Sequence, residues 1–111
     1  MITTHVLDIT RGRPAAGLPI HLAVRSADGW MMIAKSGTDE EGRCRDLVPD
    51  DVRLKRGTYR LTFDTGAYFR SQRLDAFYPV VEIVFEVPDP SQHYHVPLLL
   101  SPYGYSTYRG S

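Results

Sequence analysis

The sequence predicts an all-β fold: a two-sheet sandwich of about seven or eight short strands with one short helix. Two observations carry that expectation. Several segments alternate apolar and polar residues with a period of two, most clearly Pro19–Ser26, Gly57–Asp64 and Val80–Val87. Turn residues separate these segments at regular intervals, and the chain spends 9 Gly and 8 Pro on them within 111 residues.

Met1–Ile9 is rich in β-branched residues and reads as the first strand, with Thr3, His5 and Leu7 on one face and Thr4, Val6 and Asp8 on the other. Arg11–Gly17 holds two glycines and a proline and reads as a loop. Pro19–Ser26 is a half-buried strand, Ile20, Leu22 and Val24 facing in. Asp28-Gly29 signals a hairpin, with Trp30–Lys35 as its return strand. Thr38–Gly42 is a polar turn, and Cys44–Asp51 reads as irregular, with Pro49 inside it.

Gly57–Asp64 alternates again, with Tyr59, Leu61 and Phe63 on one face. Thr65–Leu74 loses the alternation and reads as the short helix, and Pro79 blocks its extension. Val80–Val87 is a strand with Val81, Ile83, Phe85 and Val87 pointing one way. His93–Leu100 and Tyr103–Tyr108 are the last two strands, joined across Ser101-Pro102. The tail beyond them, Arg109-Gly110-Ser111, is polar and follows an aromatic run, and it is expected to be docked, with the carboxylate of Ser111 in use.

The length fits one domain, residues 1–111. Lys plus Arg and Asp plus Glu are 13 each, so the net charge is zero and the basic footprint of a nucleic-acid binder is missing. No apolar run approaches the roughly 18 residues of a membrane helix. The single cysteine, Cys44, excludes an internal disulfide framework and a cysteine-cluster metal site. No signal-peptide pattern is visible at the start, and the expectation is a soluble, cytoplasmic domain.

Four histidines could carry chemistry: His5, His21, His93 and His95. His93 and His95 are two apart, so a strand puts both on one face, in a spacing that can chelate a metal. No third ligand is evident, and the pair also reads as two ordinary strand histidines. His21 lies on the polar face of its strand and is expected to be incidental. His5, at mid-strand, is either a satisfied structural residue or part of a site, since an imidazole pKa of about 6.5 suits proton transfer.

A resemblance separates these readings. The run YHVPLLLSPYGYSTYRGS, ending in Tyr108-Arg109-Gly110-Ser111, resembles the C-terminal signature of 5-hydroxyisourate hydrolases, the transthyretin-related enzymes of urate breakdown. Thr3-Thr4-His5-Val6-Leu7-Asp8 with Arg11-Gly12-x-Pro14-Ala15 is similar to that family's N-terminal pattern. Thr38-Asp39-Glu40-Glu41-Gly42-Arg43 matches its Thr-x-x-x-Gly-Arg element, and His95 falls on the histidine of His-Val-Pro-Leu-Leu.

The resemblance implies a transthyretin-like fold of two four-stranded sheets with a short helix after the fifth strand. It implies hydrolysis of 5-hydroxyisourate to 2-oxo-4-hydroxy-4-carboxy-5-ureidoimidazoline, with no metal and no cofactor. It names His5, Arg43, His95 and Ser111 as catalytic and substrate-binding residues, with Tyr108 walling the pocket. Arg45 is two residues beyond Arg43 and would face the same way on an extended segment. The position directly after Gly42 favours Arg43. The resemblance also implies a homotetramer, a dimer of dimers, with sites in a channel where dimers meet. The hormone-carrier branch of the family lacks the two histidines, the arginine and this terminus. A non-catalytic binder of small planar ligands is the alternative from another class.

Overall fold

A computed structural model describes residues 1–111. Nine strands and one helix follow in order: β1 Ile2–Asp8, β2 Arg13–Pro14, β3 Pro19–Ser26, β4 Gly29–Gly37, β5 Arg43–Cys44, β6 Gly57–Phe63, α1 Thr65–Ser71, β7 Val81–Val87, β8 Tyr94–Ser101 and β9 Gly104–Thr107. They form two sheets. One is antiparallel, in the order β4-β3-β6-β7. The other runs β2-β1-β8-β9, and β5 also pairs with β1. Its central pair, β1 and β8, is parallel, with Ile2 opposite Tyr94 and Asp8 opposite Leu100.

Alternation decides what each strand buries. Ile2, Thr4, Val6 and Asp8 of β1 and Leu98 and Leu100 of β8 point between the sheets and are almost completely buried. Ile20 and Leu22 of β3 and Leu61 and Phe63 of β6 meet them from the other sheet. The opposite face of β1 and β8 carries Thr3, His5, Leu7, His95, Pro97 and Leu99, outside the core, and His93 lies just before β8. The site therefore sits on the outer face of the sheet that holds the parallel pair.

Helix α1 starts where Asp64 accepts the backbone N–H of Ala67, an N-cap contact of 3.0 Å. It ends after Ser71, three residues before the predicted end, and Arg73 turns left-handed at φ 58°. Tyr68 and Phe69 of α1 are buried edge to face, 5.3 Å apart. Tyr68 donates its hydroxyl to Asp8 Oδ2 at 2.8 Å, while Asp8 Oδ1 accepts the N–H groups of Thr10 and Arg11. The carboxylate at the end of β1 is thus fully partnered and ties the helix to the site-bearing sheet.

Local details differ from the expectation, and the Arg11–Gly17 loop holds the two-residue β2. The hairpin turn is Ala27–Asp28, because Ser26 already pairs with Gly29, which opens β4 at φ 123°. A bulge at Leu22/Ala23 follows, where Ala34 and Met32 are the successive partners. The segment read as irregular from Cys44 begins inside a two-residue strand, β5, in which Thr4 pairs with Cys44 and His5 with Arg43.

A candidate active site on the outer face of one sheet

The turn from Thr38 to Gly42 builds half of the site. Asp39 accepts the N–H groups of Glu41 and Arg43 through Oδ1, both at 2.9 Å, and its own N–H reaches the Arg43 carbonyl at 2.8 Å. The Arg43 N–H bond, the largest cause, holds the Asp39 carboxyl below its usual pKa. Gly42 is left-handed at φ 76°, and a Cβ there would overlap the Val6 carbonyl oxygen. The Gly42 carbonyl accepts the Val6 N–H at 2.7 Å, so the turn lies tight on β1. This fixes Arg43 opposite His5. The His5 ring bonds back to the turn, Nε2 to the Glu41 carbonyl at 2.8 Å.

The other half comes from β8 and the tail. The pairing of Leu98 with Thr107 continues, three residues further along each strand, as a bridge between His95 and Gly110. Pro97, which has no N–H, stands where the ladder is interrupted. The Gly110 N–H donates to the His95 carbonyl at 2.8 Å. A Cβ on Gly110 would come within 2.6 Å of His95 Cδ2 and 3.1 Å of Pro97 Cγ. Glycine is therefore required by close approach to the imidazole. Arg109 anchors the tail from the other side, its guanidinium 4.8 Å above the Tyr94 ring and bonded to Gln92 Oε1.

These pieces enclose a cleft of about 190 Å³ lined by Met1, Thr3, Thr4, Arg43, Arg45, His93, His95 and Ser111. Of the residues expected from the sequence, Arg43, His95 and Ser111 meet here, and Arg45 joins them. Arg43 is half-buried and Arg45 is exposed. His5 stands beside the cleft, paired with Arg43 on β5 and Pro97 on β8, with its ring turned to Glu41. Tyr108 is 59% exposed and lines a second cleft of about 430 Å³, between β7 and the tail, which His95 also borders. His21 is half-buried on β3, between Lys35 and Thr62, away from the cleft.

Burial, then electrostatic repulsion from Arg43 and the neighbouring His93 and His5, pushes the His95 pKa below 6.5. At neutral pH its imidazole is the uncharged form, able to accept a proton. Two contributors were not legible as site residues. Thr3, only 6% exposed, places Oγ1 at 2.8 Å from both His95 Nδ1 and His93 Nε2. The His93-x-His95 spacing pointed to the pair but not to the hydroxyl between them. Gly110 was visible only as part of a motif.

The fold and the cleft together define a transthyretin-like β-sandwich with an imidazole, a guanidinium and a hydroxyl gathered on one outer sheet face. A family model described as the HIUase/Transthyretin family matches residues 2–110. The chain belongs to that family. It is 46% identical to a 5-hydroxyisourate hydrolase of Mus musculus, over 99% of this chain and 94% of the mouse protein. The fold is similar to transthyretin from sea bream, solved in complex with thyroxine: TM-score 0.90 and 35% identity, over 98% of this chain and 93% of the other. It is also similar to a Klebsiella pneumoniae 5-hydroxyisourate hydrolase: TM-score 0.86 and 34% identity, over 99% and 92% of the two chains.

Proposed function

We propose that the chain is a 5-hydroxyisourate hydrolase of urate breakdown, opening the ring of its substrate by attack of water at a carbonyl carbon without a metal. The observation that carries this reading is the meeting of Arg43, His95 and Ser111 at one cleft. Water is a poor nucleophile at neutral pH and needs a base within hydrogen-bond reach. The neutral His95 fills that role, since Nδ1 is held by Thr3 and no protein group bonds Nε2. Arg43 offers a permanent planar fork for the negative charge that develops on the carbonyl oxygen. Ser111 binds the substrate's polar edge, and His5 positions Arg43's side of the cleft. Tyr108 closes the site in the assembled protein.

Assembly is part of the proposal. Strand β7 pairs only with β6 and β9 only with β8, so each sheet has a free edge, and β7 and the end of β9 border one cleft. Exposed Val84, Tyr105 and Tyr108 lie along these edges. Unpaired edges with apolar side chains favour pairing with a second copy. The outer face with His5, Leu7, His95 and Leu99 then suits a contact between dimers, which would deepen the open cleft and exclude water. A homotetramer, dimer of dimers, follows. A cytoplasmic location belongs to the same reading and fits Cys44, a free buried thiol.

The sea bream likeness favours a second reading, a carrier that binds a planar ligand without converting it. Timed decay of fresh 5-hydroxyisourate separates the two. The hydrolase accelerates it above the spontaneous rate, and a carrier leaves that rate unchanged.

A further inference from the structure

We propose that His93, Thr3 and His95 form a proton relay, in which Thr3 is a positioning residue and His93 passes protons between the cleft and bulk water. The inference rests on the hydrolase reading and deepens it. Parallel pairing sets Thr3 of β1 opposite His95 of β8, and His93 lies on the same face two residues earlier. A single hydroxyl oxygen contacts both rings, at 2.8 Å each, with the ring centroids 6.3 Å apart.

A threonine hydroxyl has one proton to donate and lone pairs to accept with. Between two neutral imidazoles it donates to one and accepts from the other. When it donates to His93 Nε2, it accepts from His95 Nδ1–H, and His95 Nε2 keeps the lone pair a base needs. When it donates to His95 Nδ1, Nε2 carries the proton and His95 is an acid. The same three groups therefore set which role His95 plays.

The balance closes during turnover. Water gives a proton to His95 Nε2 as its oxygen bonds to the substrate carbon. His95 Nδ1–H passes its proton to Thr3 Oγ1, and Thr3 passes its own to His93 Nε2. The positive charge then rests on exposed His93, whose other nitrogen can release a proton to solvent, and His95 is left neutral with its proton on Nε2. That proton goes to the ring nitrogen as the C–N bond breaks, while Thr3 returns a proton to Nδ1, His93 returns one to Thr3 and is restored from solvent, and the new carboxylic acid loses its proton to water. Charge left on His95 would sit half-buried, among Arg43 and Arg45 from the β5 segment, His5 from β1 and His93 just before β8. The relay removes it from that environment.

Three variants test the proposal: Thr3→Val, which keeps the shape without the hydroxyl, Thr3→Ser, which keeps the hydroxyl, and His93→Gln, which keeps a hydrogen-bonding group that cannot carry a proton. Their kcat and KM for 5-hydroxyisourate are measured with and without added imidazole. Thr3→Val is expected to lose about tenfold or more in kcat, within the range of lost general acid–base assistance, with KM nearly unchanged. Thr3→Ser is expected to recover most of it. His93→Gln is expected to lose kcat and regain it with imidazole in solution. Thr3→Val within twofold of the parent overturns the relay. So does an equal loss in Thr3→Ser, or His93→Gln that imidazole fails to rescue. Ring-¹⁵N spectra of substrate-free protein separate this from failure of the hydrolase reading. Thr3→Val must change the protonation balance between Nδ1 and Nε2 of His95, and an unchanged balance overturns the relay whatever the substrate.

Discussion

At the scale of single residues, the proposed mechanism depends on keeping one imidazole neutral beside a permanent cation. His95→Ala should lower kcat by about 10²–10⁴-fold while the protein stays folded, because a general base typically contributes that much. Circular dichroism and steady-state rates check both halves of the statement. Arg43→Lys should also be defective, since lysine keeps the charge and loses the planar fork. Arg45→Lys should be nearly silent, because Arg45 is the exposed one of the two. Reversal of those two results would move the oxyanion role two positions along the chain.

The pH dependence follows from the direction of the His95 shift. Burial first, then Arg43, His93 and His5, lower its pKa from 6.5, so the acid limb of kcat/KM should lie below pH about 6.5. Arg43→Met removes one of those causes and should move the limb upward in the residual activity. The sign for stability is the same. The unfolded imidazole binds its proton at a higher pH than the folded one, so this group lowers stability as pH falls through that interval. Motif matching made Arg43, His95 and Ser111 legible in the sequence. Thr3 was not, because its contact with His95 arises from pairing with a strand about ninety residues away, which no local pattern reports.

At the scale of elements, the turn before β5 and the tail beyond β9 hold the site. Gly42→Ala puts a Cβ on a left-handed residue, a cost of roughly 1–2 kcal/mol before any overlap. The overlap with the Val6 carbonyl adds to it. The thermal midpoint should fall by roughly 4 °C or more, and no change in calorimetry would contradict the turn geometry. Gly110→Ala should leave the midpoint nearly unchanged and reduce activity, since its Cβ meets the His95 ring at the edge of the fold. The strands with clear alternation, β3, β6 and β7, were legible because one face of each meets the core. Two-residue β5 was not, since a segment that short has no period. Its strand character comes from β1, to which Gly42 is bonded through Val6, while Asp39 braces the turn on Arg43. The helix stops early because Gln72 and Arg73 already turn the chain back, with N–H bonds to Phe69 and Arg70.

At the scale of the whole molecule, two sheets bury one face each and leave an outer face with chemistry and two free edges side by side. Light scattering should give a mass four times that of the chain, and a stable monomer with full activity would contradict a site completed by assembly. The central claim is that this outer-face cleft hydrolyses 5-hydroxyisourate. The most direct measurement is the loss of near-ultraviolet absorbance of freshly generated 5-hydroxyisourate, with and without the protein, in parallel with the His95→Ala variant. The account predicts decay well above the spontaneous rate for the parent and close to it for the variant. Equal decay with and without the parent protein would contradict it and leave the carrier reading in its place.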